Sequence, residues 1–218
     1  MIAYSTRNRP KVLEYSLSKT REVYDGFIIV VDDNSETREA NEAICKKYDC
    51  AYLYNEKRIG IPRTKERGFR SLLSFDYQYW LDDDCFLKPG WMEKVQEAQE
   101  YYPHLLHLRE WAHIKEIPFL LNGEPVNIGR VRQFTGATAP FMAFTKDLYP
   151  KMKGFQAGFG IYGEWHAALS LKLASGYFAL KDSPKYIHSF DIDGIPEDFD
   201  YHFQSSLPME ERKHAQVR

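Results

Sequence analysis

Short apolar runs alternate with amphipathic stretches through the first half of the chain, and that alternation predicts its elements. Ile2–Ser5 reads as a short strand. Pro10 follows where a helix can open, since its missing N–H falls among donors that lack an intrahelical partner anyway. Phe27-Ile-Ile-Val-Val31 is continuously apolar, the mark of a strand covered on both faces. It runs into Asp32-Asp33-Asn34-Ser35, where a helix from near Thr37 can be capped. Ala51–Tyr54 reads as a third strand and Gly60-Ile-Pro62 as a break. A helix over 63–75, a strand at Tyr77–Leu81 and a helix from Pro89 to near Tyr102 follow. The succession β-α-β-α-β-α-β-α predicts an α/β fold: a mostly parallel central sheet flanked by helices, with ligands at the carboxyl ends of its strands.

The second half changes character. His104–Arg109 reads as a strand, and 112–134 as a hairpin around Asn122-Gly123, a strong turn signal. Pro140–Thr145 is a further strand, Tyr162–Ser175 a helix, and Tyr177–Leu180 and Tyr186–Phe190 short strands, making a smaller mixed β region. From Gly194 onward glycine, proline and acids suggest a tail that wraps the domain or is loosely ordered. No repeat, low-complexity tract or linker interrupts the chain. It therefore reads as one domain over 1–192 followed by a tail over 193–218.

Composition narrows the classes. At 218 residues the chain can bury a sizeable core. A formal net charge of −2 gives no global basic field of the kind nucleic-acid binders show. Aromatics reach 15%, and their faces suit the stacking of bases or sugar rings as well as core packing. The three cysteines, Cys45, Cys50 and Cys85, form no CxxC pair and read as reduced thiols, which sets the expectation of a cytoplasmic protein; the opening Met-Ile-Ala-Tyr-Ser sets the expectation of no signal peptide. No apolar stretch approaches the roughly 20 residues of a membrane span.

The chemistry concentrates at Asp82-Asp83-Asp84, three adjacent carboxylates where an apolar strand ends. Three neighbouring negative charges repel, and Asp is a poor strand former. Something cationic or hydroxyl-rich is expected there, best a magnesium or manganese ion carrying a phosphate ester. A solvated acidic turn is the plain alternative. An arginine already saturating these oxygens, or oxygens pointing away from any cleft, would undo the assignment of activity.

Four segments together resemble the GT-A glycosyltransferases, most closely the family-two group of inverting enzymes. They are Ser5-Thr-Arg-Asn-Arg-Pro10, Val30-Val-Asp-Asp-Asn-Ser35, Trp80-Leu-Asp-Asp-Asp84 as a DxD-type motif, and Gly163-Glu164 opening a helix. The basic stretch from Asn55 to Gly68 is a weaker fifth. The resemblance implies a single GT-A, Rossmann-like domain, with a nucleotide-binding half over 1–103 and an acceptor-binding half over 104–192. It implies transfer of a hexosyl or pentosyl group, with inversion, from a nucleoside diphosphate sugar, UDP-type favoured, to a hydroxyl acceptor, with Mn2+ or Mg2+.

By the same resemblance Asp33 would bond the imide N–H of a uracil-type base, with Thr6 lining that pocket. Asp32 is read as holding the loop. Asp82 and Asp83 would face the ribose, and Asp84 would ligate the metal, joined by His188 with Asp191 and Asp193 as rivals. Arg63, Lys65 and Arg67 are the basic residues assigned to the nucleotide, against the alternative of a solvated face paired with Glu56 and Glu66. Glu164 would be the base that takes the acceptor proton, although Trp165 stands where the family has a second acid. His166 would contact acceptor or donor phosphate, and Trp111 with 112–138 would shape the acceptor site. A nucleotidyltransferase is the second reading, disfavoured because Ser5–Pro10 holds no glycine. A catalytically inactive sugar-nucleotide binding module is the third. The acceptor is open between a glycan, another polymer and, less favoured, a hydroxylated DNA base, which would bind with salt sensitivity.

Overall fold

The computed structural model describes residues 1–100, 104–107, 120–121, 124–125, 129–132, 140–146, 177–180 and 183–200. The first half follows the predicted alternation: β1 (Ile2–Thr6), α1 (Pro10–Arg21), β2 (Ile28–Asp32), α2 (Arg38–Lys47), β3 (Ala51–Tyr54), α3 (Ile61–Arg70), β4 (Tyr77–Asp82), β5 (Cys85–Leu87) and α4 (Trp91–Gln99). In the second half lie β6 (His104–His107), β7 (Leu120–Leu121), β8 (Glu124–Pro125), β9 (Gly129–Arg132), β10 (Phe141–Thr145), β11 (Tyr177–Leu180), a 3-10 turn at Ser183–Lys185, β12 (Ile187–Ser189) and the short α5 (Phe190–Asp193).

Eight strands form one sheet in the order β3-β2-β1-β4-β10-β6-β11-β9. The β3-β2-β1-β4 part is parallel, whereas β10 runs antiparallel to both β4 and β6. This is the expected mostly parallel sheet with a mixed region beyond β4. The β7–β8 pair brackets Asn122-Gly123, as the turn signal predicts. Strand β5 was not foreseen; it leaves the main sheet and pairs antiparallel with β12.

Every residue of β1 and β2 is buried, which explains their unbroken apolar runs. One face carries Ile2, Tyr4, Ile28, Val30, Tyr79 and Leu81, packed with Leu13 and Leu17 of α1 and Trp91 and Val95 of α4. Trp91 meets both Tyr24 and Tyr79 edge-on, at centroid distances of 5.7 and 4.9 Å. Helix α3 covers the other face. Its Gly68 lies so close to the sheet that an added Cβ would meet Trp80 at 2.5 Å and Val31 at 3.1 Å. Pressing α3 this near brings Lys65 to the end of β4. That helix stops at Arg70 rather than at the expected residue 75, and Ser71–Phe75 continue as single turns.

Beyond α5 the chain returns to α1. Tyr15 donates its hydroxyl to Asp198 at 2.6 Å, Lys19 pairs with the same carboxylate at 3.2 Å, and Tyr15 packs on Phe199. Residues 194–200 thus wrap the domain; the rest of the predicted tail lies outside the described residues.

Candidate active site

The parallel register sets the site. Thr6 is level with Asp32, and Ser5 with Asp82, so the loops after β1, β2 and β4 emerge side by side at one sheet edge. The first two loops are tied together. Asn8 donates its backbone N–H to Ser35 Oγ at 2.9 Å, and Glu36 N–H donates to Asn8 Oδ1 at 2.8 Å. Asn8 and Asn34 have φ of 56° and 61°, the left-handed region that asparagine enters more readily than most residues. Asn34 stands where the family's motif has glycine, and this backbone is the reason asparagine serves.

Asp32 is fully buried and accepts from Ser35 N–H at 2.8 Å, Asn41 Nδ2 at 2.7 Å and the Tyr52 hydroxyl at 2.7 Å. It is a loop holder, as read from the sequence. Burial and the bond to Asp32 push the Tyr52 hydroxyl well above its ordinary range, so it stays a donor. Asp33 is also buried. Its Oδ1 accepts from Ile59 N–H at 2.8 Å and Asn55 Nδ2 at 3.2 Å, and its Oδ2 from Gly60 N–H at 3.0 Å. Three donors leave about one of a carboxylate's roughly four acceptor positions open.

The second cluster is held by cations. The Arg9 guanidinium forks onto Asp83, with Nε on Oδ2 at 3.2 Å and its terminal nitrogen on Oδ1, and reaches Asp84 Oδ2 at 3.0 Å. Thr6 Oγ1 donates to Asp83 Oδ2 at 2.8 Å. Asp82 instead accepts from the Lys65 ammonium at 2.8 Å and from Ser5 Oγ at 3.3 Å. Burial pushes the Asp83 carboxyl up to about 7 while the facing Arg9 pulls it down; burial opposes charge on the Arg9 guanidinium too, but Asp83 and Asp84 together raise it and keep it charged.

Exposure separates the two ion pairs. The Arg9 side chain is 38% exposed, but Asp83 and Asp84 are 2% and 8%. Lys65 is 3% exposed and its partner Asp82 30%. In one pair the cation faces out; in the other the carboxylate does.

Several expectations move accordingly. Thr6, Asp83 and Asp84 come together, but around Arg9. Lys65 is turned inward, 5.7 Å from the Trp80 ring centroid, so it supports Asp82 rather than presenting its charge outward. Arg67 braces the end of β3 by donating to Tyr54 O at 2.8 Å and to Asn55 Oδ1. Arg63 is exposed at the start of α3. His188 on β12 stacks on Phe86 at 4.7 Å, and its Nε2 bonds Gly194 O at 2.8 Å. Glu164, Trp165, His166 and Trp111 lie outside the described residues.

The described side chains form no ready-made shell for a divalent ion. Asp84 and Asp83 already serve one guanidinium, His188 is engaged with Gly194, and no three His, Cys, Asp or Glu among the described residues converge as a metal shell. An arginine clamp, set above as the condition that would undo the assignment of activity, is present on both oxygens of Asp83 and on one of Asp84. Two residues were missed by sequence reasoning. Arg9 sits inside the quoted Ser5–Pro10 motif, and the adjacency of β1 and β4 in a doubly wound sheet was the signal that places it beside Asp83. Asn55, which joins Asp33, Thr64 and Arg67, opens the quoted basic segment 55–68, and only its position at a strand end beside β2 points to this role.

A model of glycosyl transferase family 2 matches residues 2–116. No curated protein matches the chain. Among solved structures, GalNAc-T7 with UDP, GalNAc and Mn2+ superposes with a TM-score of 0.66 at 12% identity, covering 88% of this chain and 44% of that one. S. aureus TarS 1-349 in complex with UDP-GlcNAc superposes with a TM-score of 0.62 at 12% identity, covering 95% of this chain and 60% of that one. The chain thus spans less than two thirds of either neighbour, and at this identity the likeness is one of fold.

Proposed function

The chain belongs to glycosyl transferase family 2, and from that premise we propose that it moves a sugar from a nucleoside diphosphate donor to a hydroxyl acceptor with inversion. The observation that supports this reading best is the gathering of Thr6, Asp33 and Asp82 at the carboxyl edge of β1, β2 and β4, where a doubly wound sheet binds nucleotides. Asp33 is fixed by three donors and keeps about one acceptor position for a base N–H. Asp82, the exposed carboxylate of the cluster, suits the ribose hydroxyls. The bound ligands of the two structural neighbours favour a uridine donor.

In the transfer, the acceptor oxygen forms a bond to the anomeric carbon as the bond from that carbon to the phosphate oxygen breaks. The electron pair leaves on the diphosphate, and the acceptor proton passes to a base. Glu164 is the residue proposed for that base, by its resemblance to the family's motif. No step is assigned to a divalent ion here, because the described carboxylates are already paired. A glycan or another hydroxyl-bearing polymer is the proposed acceptor class.

The test is release of nucleoside diphosphate from a panel of UDP-sugars incubated with candidate acceptors, with the product anomer read by proton NMR. Turnover with inverted configuration, lost in Glu164→Gln while donor binding persists, is the expected result. Donor binding and turnover indifferent to Glu164→Gln would point instead to another base. Pyrophosphate release from a nucleoside triphosphate would favour nucleotidyl transfer.

A further inference from the structure

We infer that Arg9 is a tethered cation occupying the position a divalent ion would take at the acidic cluster, and that it, not a metal, meets the diphosphate of the donor. The inference rests on the donor reading above and names how that site handles charge.

Three observations carry it. First, one guanidinium serves two carboxylates: Nε and a terminal nitrogen hold Asp83, and the other terminal nitrogen holds Asp84. Forked, charge-assisted contacts of this kind fix geometry as well as charge. An ion taking the Asp84 oxygen that Arg9 holds would have to displace a guanidinium that also serves the buried Asp83, and removing one partner of a buried pair is strongly unfavourable. Second, the order from solvent inward is cation, then carboxylates, because Arg9 is the exposed member and Asp83 and Asp84 are shielded. An approaching metal ion meets a positive charge, and an approaching phosphate meets a donor. Third, the contacts to Asp83 and Asp84 use three of the five guanidinium N–H groups, which leaves two to donate elsewhere. Lys65 completes the arrangement by neutralising Asp82 from behind, so the cluster carries two built-in cations for three acids.

The loop geometry agrees with a fixed rather than wandering Arg9. It stands immediately before Pro10, the first residue of α1, and Leu13 N–H donates to its carbonyl at 3.0 Å. Its loop is pinned to the next one through Asn8, Ser35 and Glu36.

The experiment is a pair of titrations on the full chain. UDP is titrated calorimetrically in EDTA and again in excess Mn2+, with GDP, ADP, CDP and dTDP run alongside. Free Mn2+ is followed separately by its EPR signal without nucleotide. For the unaltered chain, nucleotide affinity within about threefold between EDTA and Mn2+ is expected, together with no Mn2+ uptake. Arg9→Ala should lose at least tenfold in nucleotide affinity in EDTA and should now take up Mn2+, because its carboxylates are freed. Arg9→Lys retains charge and serves if the alanine variant melts early. Nucleotide affinity raised tenfold or more by Mn2+ in the unaltered chain, or Mn2+ uptake with Arg9 in place, overturns the inference. If no nucleoside diphosphate binds under either condition, the donor reading falls instead, and the EPR titration still decides what Arg9 excludes.

Discussion

Two acidic clusters end the two parallel strands that flank β1, and they are neutralised by opposite means. After β2, Asp32 and Asp33 are satisfied almost entirely by neutral donors: backbone N–H groups, two asparagine amides and a tyrosine hydroxyl. After β4, Asp82, Asp83 and Asp84 are satisfied chiefly by a guanidinium and an ammonium. The first cluster shapes loops, and its charge is dispersed into the backbone. The second concentrates charge of both signs at one place on the site edge. Adjacent aspartates in a sequence therefore do not define a metal site; what stands behind them decides.

Breaking the first cluster should have the larger effect on stability. Asp32→Ala strands three donors, two of them in the interior, and each unsatisfied buried group costs about 1–3 kcal/mol, so a loss of about 4 kcal/mol is expected in urea unfolding. A loss below about 1 kcal/mol would show that those donors find water. In the second cluster, Arg9→Ala leaves two shielded carboxylates without their cation. Removing one partner of a buried pair costs about 3–5 kcal/mol, but Arg9 is more than a third exposed, so about 2 kcal/mol is expected. Equal losses in the two variants would erase the distinction drawn between neutral and ionic neutralisation.

The second cluster should also make stability respond to pH. Burial holds the Asp83 carboxyl up at about 7, whereas an unfolded Asp titrates near 3.9. Between those values the folded chain keeps a proton that the unfolded chain has lost, so folding takes one up. Stability contributed by this group therefore rises as pH falls from about 7 to about 4 and is flat outside that window. Asp83→Asn should remove the slope, read as the difference between the two proteins' unfolding free energies across that range. An unchanged slope would place the proton elsewhere. As the smallest effect, Arg70→Ala cuts an i,i+4 pair with Glu66 on an exposed face of α3 and should cost about 0.3 kcal/mol.

Legibility in the sequence follows the same division. The strands β1, β2 and β4 were readable because nearly all of each is buried, leaving apolar runs bounded by turn residues, and the half-buried β3 because its four residues form a short apolar run. The opening of α1 at Pro10 and the pairing around Asn122-Gly123 were readable because proline and an Asn-Gly turn have local geometric consequences. Strand β5 was not, since three residues immediately after three aspartates carry no periodicity and owe their conformation to β12, about a hundred residues downstream. At the site, Asp32's structural role and the turn at Asn34 could be read from their own chemistry. The direction in which Lys65 points could not, because it depends on how closely Gly68 lets α3 approach Trp80. Arg9 was hidden for a similar reason: its partners lie 74 and 75 residues away and meet it only through the β1–β4 pairing.

Hydrogen exchange of the full chain with and without UDP tests most directly that the shared strand edge is the donor site. Slowed exchange is expected in peptides covering 6–9, 57–61 and 82–86, with the start of β1 and the interior of α4 unchanged. UDP binding that protects only other regions, leaving those three segments as they were, would contradict it.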